Sequence, residues 1–190
     1  MIHRPIIVCD LEATCWKDKP YHQEMEIIEI GAVRIADGVM LDEFHCMVQP
    51  VLHPKLSDFC QELTTIRQEE VDQGLLFPQA YMRFLEWMGA EPFLFASWGS
   101  FDLKQLKLDT VRHALPWDIR LDKHRNIKHL FAKYRQVKPC GLDRATQYLK
   151  IPFAGIHHRA LDDSRNVARI TLQMLTWLQA NNHLAEENMA

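Results

Sequence analysis

Pro5-Ile6-Ile7-Val8-Cys9 is an unbroken apolar run that ends in Asp10-Leu11-Glu12. A short run of β-branched residues behind a proline reads as a strand buried on both faces, which demands a sheet with cover on each side. Side chains two apart in a strand share a face, so the two carboxylates at its end are aimed side by side. Buried carboxylates without partners are costly, and a divalent cation is an economical match for a pair. A lone Asp-x-Glu is unspecific in a chain with 25 acidic residues, so the metal reading needs further ligands.

The rest of the chain supplies a scaffold for them. Glu26 to Ile35 is β-rich and stops at Asp37-Gly38, a hairpin signal that predicts an antiparallel return over Val39 to Val48. A polar turn occupies 16–23. Leu56, Phe59, Leu63 and Ile66 recur at helical spacing, and Gln68 to Val71 adds a further turn. Pro78 suits the first turn of a helix that reaches about Met88 and carries Tyr81, Phe84, Leu85 and Met88 on one face. Pro92 to Trp98 is a second continuous apolar strand, after which Ser100 is placed to cap a helix bearing Leu103, Leu106 and Val111. Asp118 to Leu121 reads as a fifth strand, Asn126 to Tyr134 and Gly141 to Leu149 as short helices. A long amphipathic helix starts at Asp162 and shows Val167, Ile170, Met174, Leu175 and Leu178. A hairpin followed by strands alternating with helices predicts an α/β fold, with a mixed sheet of about five strands covered on both faces.

Sites in open α/β sheets gather at strand ends, and acids recur there. Asp102 follows the second apolar strand and Asp163 opens the last helix. Asp163 also has a plain explanation, since acids in a first turn favour the helix dipole. Together with Asp10 and Glu12 they form an all-oxygen set suited to Mg²⁺ or Mn²⁺. His158 lies five residues before Asp163, and an imidazole of ordinary pKa can take a proton from water near neutral pH.

At these residues the chain resembles the DEDDh 3′ to 5′ exonucleases, which have the ribonuclease H-like fold. Asp10-x-Glu12, Asp102 and His158-x-Ala160-x-x-Asp163 match that family's motifs in order and spacing. The likeness extends to Asp10-Leu11-Glu12-Ala13-Thr14-Cys15, Glu26-Ile27-Ile28-Glu29-Ile30, Leu56-Ser57-Asp58-Phe59-Cys60-Gln61-Glu62-Leu63-Thr64, Trp98-Gly99-Ser100-Phe101-Asp102 and His157-His158-Arg159-Ala160-Leu161-Asp162-Asp163. These look like the branch of the histone-mRNA 3′-end exonuclease and the bacterial sporulation-inhibitor-type enzymes. The resemblance implies a two-metal hydrolysis in which Asp10, Glu12, Asp102 and Asp163 hold two Mg²⁺ ions, with Mn²⁺ an alternative. Glu12 and His158 would meet the reacting groups, with His158 as general base. Backbone at Ala13 and Thr14 would border the terminal sugar, His158 would also touch the nucleotide, and Phe59 or Leu63 would wedge or stack on the last bases, with Phe59 equally readable as plain core. Tyrosine-class relatives carry Tyr four residues before the last Asp, where this chain has Arg159, so the histidine class fits better. One departure is Leu63-Thr64-Thr65-Ile66, where the family's pattern is Leu-Thr-Gly-Ile; a close backbone approach at residue 65 is thereby in doubt.

The implied partner is the 3′ end of a single-stranded nucleic acid, RNA favoured over DNA, and a homodimer is left open. Nothing resembles the extra nucleic-acid-binding domain of some relatives, so no specific stem-loop target is expected. A catalytically weak interaction protein on the same fold is the alternative, and a metal-dependent phosphatase a third reading. The length of 190 residues suits one exonuclease domain over 1–180 with a polar tail over 181–190. The net charge of −3 argues against a broad basic surface, although ions at an acidic site would reverse the local sign. No apolar run approaches the roughly 20 residues of a membrane span, and Ile6 to Cys9 is too short for a signal peptide, so a cytoplasmic protein without a membrane partner is expected. Five scattered cysteines without a Cys-x-x-Cys pair indicate neither disulfides nor zinc; Cys15 is read as a reduced thiol before it is read as a nucleophile.

Overall fold

The apolar run behind Pro5 forms β1 (Ile6–Ala13), and its two faces feed two different cores. In the computed structural model residues 4–18 and 25–187 are described, with side chains to residue 180; the predicted turn over 16–23 lies largely outside the described residues. The hairpin is present as β2 (Ile27–Ala36) and β3 (Val39–Gln49), closed by Asp37 and Gly38 at φ 50° and 80°, the two positive φ values a two-residue turn of this kind requires. The second apolar run gives β5 (Leu94–Ser97), parallel to β1. Two-residue strands β4 (Leu75–Leu76) and β6 (Arg125–Asn126) complete a mixed sheet of order β4-β3-β2-β1-β5-β6.

Strand parity divides the sheet. Ile7, Cys9 and Leu11 pack with α3 (Phe77–Met88) and α4 (Phe101–Arg112), whose Tyr81, Phe84, Met88 and Leu106 are fully or almost fully buried. Ile6 and Val8 point to the other face, against α5 (Ile127–Arg135), α6 (Leu142–Leu149) and α7 (Ala160–Glu187). A third cluster joins Ile28 to α1 (Asp58–Thr64) and α2 (Gln68–Asp72) through Cys60, Ile66 and Val71. The α/β fold with helices on both faces is therefore as the sequence predicts. Among the described residues no helix is long and apolar enough to cross a membrane.

Five details differ. The sheet has six strands, because β4 and β6 are too short to show any periodicity. Asp118 to Leu121 is not a strand: Ile119–Lys123 is a 3₁₀ turn, begun by Asp118, whose side chain accepts the Arg120 N–H at 2.9 Å. Ser100 occupies the start of α4 but its hydroxyl caps nothing; at φ −125° and ψ 1° it does not meet the helix N–H groups, and the Asp102 carboxylate accepts its own backbone N–H instead. Val111 faces solvent, and α7 continues through Glu187, into the stretch expected as a polar tail, where Leu184 and Ala185 are good helix formers.

Candidate metal centre

Parity also sets the site. Ile6, Val8, Asp10 and Glu12 share the face that α7 covers, and on β2 their partners are Ile35, Val33, Gly31 and Glu29. Asp10 thus sits opposite a glycine. A Cβ at Gly31 would lie 2.2 Å from the Ala160 carbonyl carbon and the Leu161 nitrogen, so only glycine lets the start of α7 cross the sheet there. Ser164 Oγ donates to the Gly31 carbonyl at 2.8 Å and fixes the crossing. One turn into α7, Asp163 lies over the strand end.

Asp10, Glu12 and Asp163 each offer a carboxylate oxygen within 4.8 Å of the other two. Glu12 is 9% and Asp163 5% exposed. Asp163 Oδ2 accepts the His158 N–H at 3.2 Å, while its Oδ1 is buried with no hydrogen-bond partner. Burial, then the charge of Asp102 and of Glu12, pushes the Asp10 carboxyl well above its ordinary range. Burial, then Asp163 and Glu29, does the same to Glu12. Burial raises Asp163 to about 7, only partly offset by the His158 N–H. Acids that raise one another, one of them with a buried oxygen that has no partner, fit a divalent cation by both charge and donor type.

Asp102 stands at the edge of this group. It is buried and lies outside the 4.8 Å set, held by the Leu11 N–H at 3.1 Å, which ties α4 to β1. Burial raises it too, against hydrogen bonds from Ser97 and Leu11 and the nearby Lys128 ammonium. His158 is half-buried at φ 63°, and burial, then His157, lowers its pKa, so the imidazole is neutral and proton-accepting at neutral pH.

Thr14 is buried and uses its N–H and hydroxyl on Glu26, at 2.9 and 3.0 Å, and the Ala13 carbonyl accepts the Cys60 thiol at 3.7 Å. On α1 the buried residues are Cys60 and Thr64; Phe59 is half-buried and Leu63 is 37% exposed, so neither is plain core. Thr65 has φ 60°, the left-handed conformation a glycine would adopt freely, so the turn is kept despite the threonine. Cys15 shares a hydrogen bond with Cys60, which with burial raises its thiol pKa, the opposite of what a nucleophile needs.

The residue that sequence reasoning passed over is Glu29. It is 1% exposed, yet its Oε1 accepts from His45 Nε2 at 2.8 Å and Arg159 Nη2 at 3.1 Å, and its Oε2 from the Ala160 N–H at 2.9 Å. Burial alone would raise it; His45, the Ala160 N–H and Arg159 outweigh burial and hold it below its ordinary value. Arg159 also pairs with Glu70 at 3.2 Å, so the segment carrying His158 and Asp163 is clamped to β2 and α2. The signal was a single acid inside the apolar run Ile27-Ile28-Glu29-Ile30.

The model of the family described as Exonuclease matches residues 7–171. Over 194 aligned residues the chain is 34% identical to ERI1 exoribonuclease 2 of Mus musculus, covering 90% of this chain but 28% of that protein. It is 31% identical to 3′-5′ exoribonuclease 1 of Homo sapiens, covering 90% and 52%. The chain thus spans under a third of the mouse relative and about half of the human one. Among solved structures, the nuclease domain of 3′hExo, a DEDDh family member, bound to rAMP superposes with a TM-score of 0.87 at 31% identity, covering 92% of this chain and 93% of that one. That family depends on divalent metal, in keeping with the carboxylate cluster at the end of β1. Matched by the family model over residues 7–171 and by that nuclease domain over 92% of its length, the chain belongs to the DEDDh exonucleases.

Proposed function

We propose that this chain is a Mg²⁺-dependent 3′ to 5′ exonuclease that shortens single-stranded nucleic acid, RNA in preference to DNA, and releases nucleoside 5′-monophosphates. The observation that carries this reading is the meeting of Asp10, Glu12 and Asp163, the last of which also has a buried carboxylate oxygen without a hydrogen-bond partner. Asp10, Glu12, Asp102 and Asp163 are the residues to hold two Mg²⁺ ions. Such ions, when bound, polarise the phosphodiester and the attacking water and balance the acids' charge. His158, neutral at working pH, takes the proton of the attacking water. The water oxygen bonds to phosphorus, the bond to the penultimate nucleotide's 3′ oxygen breaks, that oxygen takes up a proton from solvent to become the new 3′ hydroxyl, and the terminal nucleotide leaves as its 5′-monophosphate.

Glu29 and Arg159 keep the His158 turn in place during this step. Backbone at Ala13 and Thr14 borders the terminal sugar, and Phe59 and Leu63 offer apolar surface for the last bases. The names of the relatives, exoribonucleases, support RNA as substrate. End-labelled single-stranded RNA and DNA, incubated with Mg²⁺ or with chelator, test this reading. Stepwise 3′ shortening is expected with Mg²⁺ only, faster on RNA, and lost in Asp10→Ala. Equal digestion by Asp10→Ala protein would overturn it.

A further inference from the structure

Asp163 belongs to a second ligand set of different chemistry. His157, His158 and Asp163 each present a ligand atom within 4.8 Å of the other two. His157 Nε2 lies 3.7 Å from Asp163 Oδ2, and the two imidazoles stack with centroids 4.0 Å apart. Successive side chains of an extended chain point apart; here the φ of 63° at His158 folds the turn so that both rings lie on the same side. The carboxylate they face has a buried oxygen, Asp163 Oδ1, with no partner.

The carboxylate set around Asp10 and Glu12 suits hard ions. Two imidazoles and a carboxylate suit borderline-soft ions, and imidazole sites rank Zn²⁺ far above Mg²⁺. Ligands on one tetrahedral ion at about 2 Å lie about 3.3 Å apart, so a set already within 4.8 Å has to draw together by no more than about 1.5 Å to close on an ion.

The geometry points to an inhibitory metal site: a borderline-soft divalent cation, Zn²⁺ as its representative, bound by His157, His158 and Asp163 with a fourth position left to water. Binding there occupies the His158 imidazole and draws Asp163 away from the carboxylate set, so the two metal states exclude each other. The inhibitory consequence rests on the exonuclease reading; the binding does not. The competing account is that His157 only packs edge-on against Phe153, centroids 5.3 Å apart.

His157 is 41% exposed and outside the carboxylate set, so His157→Ala is expected to fold, to melt as the parent does without metal, and to keep the parent's Mg²⁺-supported activity. Zn²⁺ is added to the full chain in excess Mg²⁺, and both the melting temperature and RNA shortening are followed. Micromolar Zn²⁺ is expected to raise the melting temperature of the parent and to inhibit it, and His157→Ala to need at least about tenfold more Zn²⁺ for either effect. Identical Zn²⁺ dependence in parent and variant overturns the site. Should the parent shorten no RNA in Mg²⁺ alone, the exonuclease reading falls, and the melting comparison still decides whether the site exists.

Discussion

Thr65 closes α1 at φ 60° and ψ 7°, with its N–H on the Gln61 carbonyl at 2.9 Å. A β-branched residue in that conformation carries a strain that glycine does not. Thr65→Gly is therefore expected to stabilise the protein by about 1 kcal/mol, a rise of about 2–4 °C in a thermal melt for a chain of this size. An unchanged or lower midpoint would mean the turn is unstrained. This strain is invisible in sequence, where a departure from a pattern says nothing of the φ adopted. The carboxylates differ, because strand parity alone puts Asp10 and Glu12 on one face and a helix start places Asp163 over them. Glu29 was not legible in the same way: its partners His45 and Arg159 come from 16 and 130 residues further along the chain, and only the fold joins them.

The helix α1 shows how an element divides its faces. Cys60 and Thr64 are buried, which leaves Phe59 and Leu63, one turn apart, toward solvent beside the strand end that bears Ala13. If these residues hold the terminal bases, Leu63→Ala raises KM for a short oligonucleotide about fivefold or more with kcat nearly unchanged, at about 1–3 kcal/mol per stacked base. The same variant should alter unfolding free energy by no more than about 0.5 kcal/mol, the usual cost at an exposed position. A loss of about 2–5 kcal/mol with unchanged KM would mark Leu63 as core instead. Elements with strong local signals were legible, among them the Asp37-Gly38 hairpin and the Pro78 helix start. Asp118 to Leu121 was not, since only Leu121 of that stretch is buried and the Asp118 side chain turns the backbone into a 3₁₀ turn.

At the scale of the whole molecule, the layered α/β arrangement follows from the two continuous apolar strands, and its consequence is a cluster of acids whose charges oppose folding. Asp10, Glu12 and Asp163 bind protons more tightly in the metal-free fold than in the unfolded chain, so the stability they contribute is present at low pH and lost as pH rises. The window opens near the unfolded value of about 4 and, for Asp163, closes at about 7. Glu29 works in the opposite sense. Its lowered pKa adds stability above its unfolded value of about 4.3 that is lost only as pH falls below it, so it does not mask the window above. A divalent cation binds the ionised acids, and its stabilisation grows as they ionise. Chelator-treated protein is therefore expected to melt at a lower temperature at about pH 8 than at about pH 5.5, and excess Mg²⁺ to raise the midpoint more at the higher pH. Asp163→Asn removes the group that titrates at about 7 and should flatten the metal-free profile between those values. A metal-free midpoint that rises with pH, or a Mg²⁺ effect that is larger at the lower pH, would show that these acids are not the charges that limit the stability of the fold.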